Sequence, residues 1–388
     1  MSWPTVALGD VFDVERGGSP RPINDFLTDD DNGLNWVMIS DATASGKVIN
    51  STKKKIRPEG LKKTRQVYPG DFILSNSMSF GRPYIMGIEG CIHDGWLLMR
   101  PRDERVDPNY FYHLLGSSDV YNSFASRAAG ATVKNLNSGI VREVTIPLPP
   151  LEEQKRIAGI LDQADALRRL RTRTFIKLNT LGQAIFHEMF GGGNKFPIME
   201  VEQVVSKITN GYVGATRNIY VEEGIPYILA RHIKNSKLTF DGETYVSEEF
   251  NLKNKRSILK AGDVLMVQSG HIGETAVVPP AHVGHNCHAL IVMTPEEKLL
   301  DGNFLSAAFN APEMKQVFAS LRTGQTLPHL NCRDVKKIRV PVPPKELQHE
   351  FLKRKRHIDS QLGSAEAAQS KAENLFASLQ HRAFRGEL

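Results

Sequence analysis

The sequence predicts an α+β protein made by internal duplication: two tandem α+β domains, each followed by a long helix, with the two helices pairing as an antiparallel coiled coil. Three observations predict it. The chain has 388 residues, more than twice a typical domain length. Pro147-Leu148-Pro149-Pro150 returns as Pro341-Val342-Pro343-Pro344, an offset of 194, half of the chain. Behind each proline cluster lies a stretch of about 40 residues with heptad spacing.

The same offset pairs Phe124-Ala125-Ser126 with Phe318-Ala319-Ser320, Leu136-Asn137 with Leu330-Asn331, Gln154 with Gln348, and Phe190 with Phe384. From Asn109 onward about 20 of 86 positions match without a gap, where ordinary residue usage gives about 5 by chance. Upstream the offset drifts by a residue or two, so that Gly18 faces Gly211 and Gly70-Asp71 faces Gly262-Asp263. Differing loop lengths account for such drift.

In chain order, residues 36–39, 71–74, 96–99 and 144–148 are short apolar, β-branched runs bounded by Gly, Pro, Asn and Asp, and they read as strands. Their counterparts are 227–229, 263–267, 289–293 and 338–342. Residues 109–115 and 303–309 have helical spacing. The prolines end the preceding strand, since they cannot continue a ladder. In the first tail Ile157, Ile160, Ala164 and Leu167 take heptad a and d positions, and after a lapse Leu178, Leu181 and Ile185 resume them. The second tail places Phe351, Ile358, Ala365, Ala372 and Leu379 at every seventh residue, with Ala368 and Leu375 interleaved. Neither helix buries such a seam alone, so the two are expected to pair, with the domains at opposite ends of a rod; the plainer alternative is a helical hairpin packed as domain core. The expected limits are residues 1–150, 151–193 (ending in a flexible Gly191-Gly192-Gly193 joint), 194–344 and 345–388.

Composition narrows the class. With 40% apolar and 24% charged residues the chain buries real cores, and three cysteines exclude a disulfide scaffold. No apolar run reaches a membrane-spanning length, and the start lacks a basic region followed by an apolar one, so a cytoplasmic protein without membrane contact is expected. A net charge of +6 favours a polyanionic partner only mildly, because 43 acidic residues offset 49 basic ones. A methyltransferase needs a Gly-rich cofactor loop and an Asn/Asp-Pro-Pro-aromatic string; Asp107-Pro108-Asn109-Tyr110 lacks the second proline and reads instead as a capped helix start. Gly46-Lys47 lacks the rest of a phosphate-binding loop. His282, His285, Cys287 and His288 cluster in sequence, but at spacings that fit no common zinc pattern, so no metal and no catalytic residue is assigned.

Four features resemble the specificity subunit of type I restriction-modification systems. They are Arg16-Gly17-Gly18-Ser19-Pro20 before the strand at Trp36; the Gly-Asp strand starts; the junction Pro147-Leu148-Pro149-Pro150-Leu151-Glu152-Glu153-Gln154 opening a long helix; and the terminal Ala383-Phe384-Arg385-Gly386-Glu387-Leu388. The second junction departs, with Lys345-Glu346-Leu347-Gln348, as does Asn210-Gly211-Tyr212. The resemblance implies two target recognition domains, each reading half of a bipartite, asymmetric site in double-stranded DNA, with the helices setting an unread spacer. It also implies a non-catalytic chain that binds no cofactor. Its partners would be two methyltransferase subunits using S-adenosylmethionine on adenine and, where the complex also cleaves, two restriction/translocase subunits using ATP and Mg. The alternatives are a non-catalytic assembly scaffold and a stand-alone methyltransferase or nuclease, the latter disfavoured by the missing motifs.

On that footing the DNA-contacting candidates are mostly basic side chains and polar loops. Arg16, Ser19 and Arg21 lie in the first motif, and Lys53, Lys54, Lys55 and Arg57 open a basic run that continues through Lys62, Lys63 and Arg65. Its thinner counterpart has Arg231, His232, Lys234 and Lys237, then Lys253, Lys255 and Arg256, and Arg217 is a further candidate. Such side chains suit phosphate, which positions a reader without specifying sequence. Base-reading candidates are Ser75, Asn76, Ser77, Ser79, Phe80 and Arg82 against Gln268, Ser269 and His271, with Gly81 and Gly273 expected to allow close backbone approach. A second loop pair carries Lys134 and Gln325.

Overall fold

The computed structural model describes residues 3–76, 81–128, 135–191, 195–321 and 329–388. The chain forms two compact units, Met1–Thr172 with Ala367–Leu388, and Arg173–Glu366. This division differs from limits drawn at the proline junctions. The start of the first long helix stays with the first unit, where Ile157, Ala158 and Leu161 enter the core, and the end of the second long helix joins them there through Ala383.

Each unit has three layers, and the pattern of its central strands explains why. In the first unit the central sheet runs, in spatial order, Phe12–Arg16, Trp96–Pro101, Phe72–Ser75, Pro83–Met86 and Val48–Ile49. Phe72 and Leu74 face a core shared with the helices Pro108–Leu115 and Ser118–Ala128, whereas Ile73 faces a second core with Val37, Val67 and Ile92. Leu97 and Met99 alternate with Trp96 and Leu98 in the same way. A strand buried on both faces needs consecutive apolar residues. The second sheet runs Leu27–Thr28, Lys54–Ile56, Leu34–Val37, Gly90–Ile92 and Arg65–Val67, with Leu34–Val37 and Gly90–Ile92 parallel.

The second unit repeats this plan. Val205–Asn210, Leu290–Pro295, Val264–Val267 and Thr275–Val277 form its central sheet; Tyr220–Val221, Tyr245–Val246, Ile225–Ile228 and Asn286–Cys287 form the outer one. Val264 and Met266 face the helix Gly302–Phe309, while Leu265 and Val267 face the outer sheet. The two Gly-Asp pairs shape the turn into the central strand. Gly70 (φ 92°) and Gly262 (φ 84°) sit where a side chain is strained. The buried Asp71 carboxylate accepts from the Tyr68 N–H (2.8 Å) and from Arg100, as Asp263 does from the Lys260 N–H (2.8 Å) and Thr294.

A two-stranded ribbon closes each unit, Thr5–Ala7 with Thr145–Pro147 and Ile198–Glu200 with Arg339–Pro341. The prolines follow, and the glutamine of the repeated motif locks the turn. Gln154, 1% exposed, accepts the Asp107 N–H (2.9 Å) and donates to the Arg105 and Pro149 carbonyls (2.8 and 2.9 Å). Gln348 does the same for Asp301, Leu299 and Pro343. Its amide satisfies three backbone groups that the bend would otherwise leave buried and unpaired.

The long helices run Leu151–Phe190 and Lys345–Ala383. In the first unit they are antiparallel: Arg156 donates to the Leu388 carbonyl (3.1 Å), and the Arg168 guanidinium lies 4.8 Å from the Phe376 ring centre. In the second, Phe186 and Phe190 pack edge-on against Phe351. The seam differs from the expected heptad at its interleaved positions. Ile157, Ala164, Phe351, Ile358 and Ala372 are buried, and Leu178, Ile185, Ala365, Ala368 and Leu379 partly so. However, Leu167, Leu181 and Leu375 are exposed and Ile160 is only half-buried. The places of Ile160, Leu167 and Leu375 are taken one residue later by Leu161, Arg168 and Phe376. At about 100° per residue, i+4 returns closer to the starting face than i+3 does.

Candidate nucleic-acid interface

The strand Lys54–Ile56 lies between Leu27–Thr28 and Leu34–Val37, and the turn Pro58–Lys63 follows it. Lys53, Lys54, Arg57 and Lys62 are exposed, and among the described residues their side-chain cations have no carboxylate partner; only the Lys53 backbone N–H reaches one, Asp41 (3.4 Å). The nearby Asp25, Asp29, Asp30 and Asp31 do not neutralise them; Lys55 reaches only the Asp30 and Asp31 carbonyls (3.3 and 3.4 Å). Lys63 lies over the Phe26 ring, and Arg65 is paired with Glu15 (3.0 Å). Unpaired cations on one stretch retain their full attraction for phosphate.

Beside this stretch the structure gathers residues that sequence reasoning left separate. The segment carrying Arg16, Ser19 and Arg21 packs on Pro58–Lys63: a Cβ on Gly18 would lie 2.6 Å from the Lys63 carbonyl, and one on Gly60 3.6 Å from the Pro20 ring. Arg16, Ser19, Arg21 and Asn76 all converge on Asp94. Ser19 donates to its Oδ1 (2.8 Å) and Arg21 to its Oδ2 (3.3 Å), while Arg16 and Asn76 donate to its carbonyl (3.3 and 2.6 Å). The Ser19 hydrogen bond, with help from the Arg21 charge, holds the Asp94 carboxyl below the usual carboxylate range. Asp94 is the functional candidate that the sequence did not single out. It lies in a short bend with no repeat partner of like chemistry, so no pattern marks it.

The equivalent place in the second unit has different chemistry. Gly17 donates to the Trp96 carbonyl and Gly211 to that of Leu290, which aligns Arg16 with Asn210, and the bend His93-Asp94-Gly95 before the first of these strands is shortened to His288-Ala289 before the second, with no carboxylate. Leu136 and Leu330 donate to the Asn76 and Gln268 carbonyls, which aligns those two. Gln268 is 1% exposed and donates to Asn210 Oδ1 (2.5 Å), which also accepts from the Cys332 thiol (2.9 Å). Asn210 and Cys332 line a cleft of about 340 Å³ with Arg333 and Lys336. Burial pushes the Cys332 thiol up to about 11 and that of the enclosed Cys287 to about 12.

Several candidates take other places. Gln268 is buried, with no edge to offer a base, and Ser75 is a buried strand end. His232 is buried too, its Nδ1 accepting the Leu229 N–H (3.0 Å) and its Nε2 lying 2.9 Å from Asp241, because it caps a turn rather than facing solvent. Arg231 is tied to Asp241 (2.8 Å) and Glu243 (3.3 Å), which removes it from the free basic set. His271 donates to the Ile233 carbonyl (3.0 Å). Arg82, Arg217, Ser269 and Lys234 are exposed, Lys234 on a tight hairpin whose Asn235 and Ser236 have positive φ. Gly81 and Gly273 serve packing rather than close approach to a ligand, since a Cβ there would meet Phe124 at 3.1 Å and Phe318 at 2.4 Å. Ser77, Ser79, Phe80, Lys134 and Gln325 lie outside the described residues. His282 and His285 face each other (3.2 Å), while Cys287 points into the core of the outer sheet.

A fold carried twice, with unpaired basic side chains beside polar clusters that differ between copies, defines a class: a duplicated nucleic-acid-recognition chain. The family model described as the type I restriction modification DNA specificity domain matches residues 2–179 and again 195–370, so the chain belongs to that family. It is 24% identical over 363 residues to the type I restriction enzyme EcoBI specificity subunit of Escherichia coli, covering 85% of this chain and 75% of that one. With the MjaVIII specificity subunit of Methanocaldococcus jannaschii it shares 20% over 382 residues, covering 92% and 86%. Among solved structures, a chain of a type I R-M system matches with a TM-score of 0.59 at 19% identity over 100% of this chain and 98% of that one. The type I restriction-modification S subunit from M. genitalium matches with a TM-score of 0.57 at 14% identity over 99% and 96%. No described helix is long and apolar enough to cross a membrane.

Proposed function

We propose that this chain is the non-catalytic DNA-recognition subunit of a cytoplasmic type I restriction-modification complex, each unit reading one half of a bipartite, asymmetric duplex site. Two methyltransferase subunits, carrying S-adenosylmethionine, methylate adenine where the chain directs them. Restriction subunits using ATP and Mg join where the complex also cleaves. The observation that carries this proposal is the specificity-domain match over both copies. The unlike polar clusters around Asp94 and Asn210 support two different half-sites, because base edges are told apart by donor and acceptor pattern.

Mapping genomic adenine methylation in cells with and without the gene tests the proposal. Loss of methylation at one two-part motif is expected; S-adenosylmethionine binding and methylation by the isolated chain would overturn the non-catalytic assignment. In the assembled complex, affinity for the duplex falls steeply with salt. Replacing Lys53, Lys54, Arg57 and Lys62 by alanine lowers that slope by about one for each phosphate no longer neutralised, and weakens all sequences alike.

A further inference from the structure

We propose that Arg21 reads a guanine in the half-site taken by the first unit, and that Asp94 is the residue that positions it; this rests on the chain being a DNA-specificity subunit. A base reader must be exposed, pre-oriented and flanked by phosphate contacts. Arg21 meets all three conditions. Its side chain is 81% exposed, it is anchored through a single Nη2 contact to Asp94, and its segment packs on the turn that carries Lys62 and Lys63. Other arginines of the unit are placed differently. Arg100 has both arms on Asp71, and Arg65 is held by Glu15.

The pairing also selects a base over the backbone. An arginine beside a carboxylate gains little from phosphate, since the pair carries no net charge and the carboxylate repels the anion. The neutral guanine edge, with its O6 and N7 acceptors, still fits the remaining guanidinium donors. Asp94 is fixed for this task by Ser19, which donates to its second oxygen, and by Arg16 and Asn76, which hold its carbonyl. In the second unit the corresponding bend is the shorter His288-Ala289, which holds no carboxylate, so this device belongs to the first unit alone.

The test compares the full chain with its R21A, R21K and D94N variants, each assembled with the methyltransferase partner, by selection from a randomised duplex library and by salt titration. For R21A, discrimination at one guanine of one half-site drops about ten- to a hundredfold, with the other half-site and the salt slope unchanged. R21K does not restore the preference, because an ammonium lacks the two-pronged fork. D94N relaxes the same base position and no other. An unchanged motif in R21A, or uniform weakening with a salt slope lower by about one, would show a spectator or a phosphate-binding role and overturn the proposal. An unchanged motif in D94N would remove the positioning role. If the unaltered complex selects no two-part motif, the functional assignment itself fails, which is separable from a motif that survives R21A.

Discussion

His113 shows how much a single side chain ties the first unit to its helix. It is 2% exposed, with Nε2 2.8 Å from Asp162 Oδ1 on the first long helix, and the same oxygen accepts from Lys47 (2.6 Å). Burial pushes its ring below the ordinary 6.5, more than the Asp162 hydrogen bond and charge restore. The neutral ring is thus the folded form, so its contribution is complete above pH 6.5 and lost as pH falls through the lowered folded value. Asp162 loses solvent on burial, yet the Lys47 and His113 hydrogen bonds outweigh that and hold it below 3.8; its contribution is lost only in stronger acid. Urea midpoints measured from pH 7 to pH 5 should therefore fall, and His113→Gln, which cannot titrate, should make that fall smaller, leaving the share of the other histidines that burial lowers, such as His93. A midpoint that falls equally in the variant would assign the acid sensitivity elsewhere. The sequence offered His113 only as one residue of a helix, since its partners Lys47 and Asp162 lie far from it along the chain and nothing local brings them together.

The elements were more legible than their contacts. The paired central strands announce themselves by apolar runs such as Phe72-Ile73-Leu74 and Val264-Leu265-Met266-Val267, and the proline junctions by their repeat. What stayed hidden is that those runs divide between two cores, because an unbroken apolar run carries no sign of which layer covers which face. The helix seam was legible at every seventh residue and misread between, since leucine also occupies exposed positions on long helices. Leu161 (0% exposed) and Leu167 (38%) separate the two registers. Leu161→Ala should cost about 2–5 kcal/mol in chemical unfolding, and Leu167→Ala less than about 1 kcal/mol. Equal losses would restore the expected heptad. At the reading surface, the basic stretch near Lys53 was visible as charge density, whereas Asp94 gained its meaning only from residues brought to it by two separate segments, one carrying Arg16, Ser19 and Arg21 and the other Asn76.

At the scale of the whole chain, the first unit is discontinuous: Ala367–Leu388 belongs to it although the second unit lies between. Ala383 is fully buried there, Phe376, Leu379, Phe384 and Leu388 pack against the same core, and Gln380 donates to the His113 carbonyl (3.0 Å). Truncation after Glu366 should therefore expose and destabilise the first unit while leaving the second protected, a pattern that hydrogen exchange resolves segment by segment. Greater loss of protection in Arg173–Glu366 would contradict the division. The arrangement also inverts the usual order of events on the ribosome. Chains generally fold domain by domain from the N-terminus as they emerge, at about 5–20 residues per second. Here residues 1–172 must wait for residues 367–388, and the second unit, Arg173–Glu366, has all of its residues before the first can close.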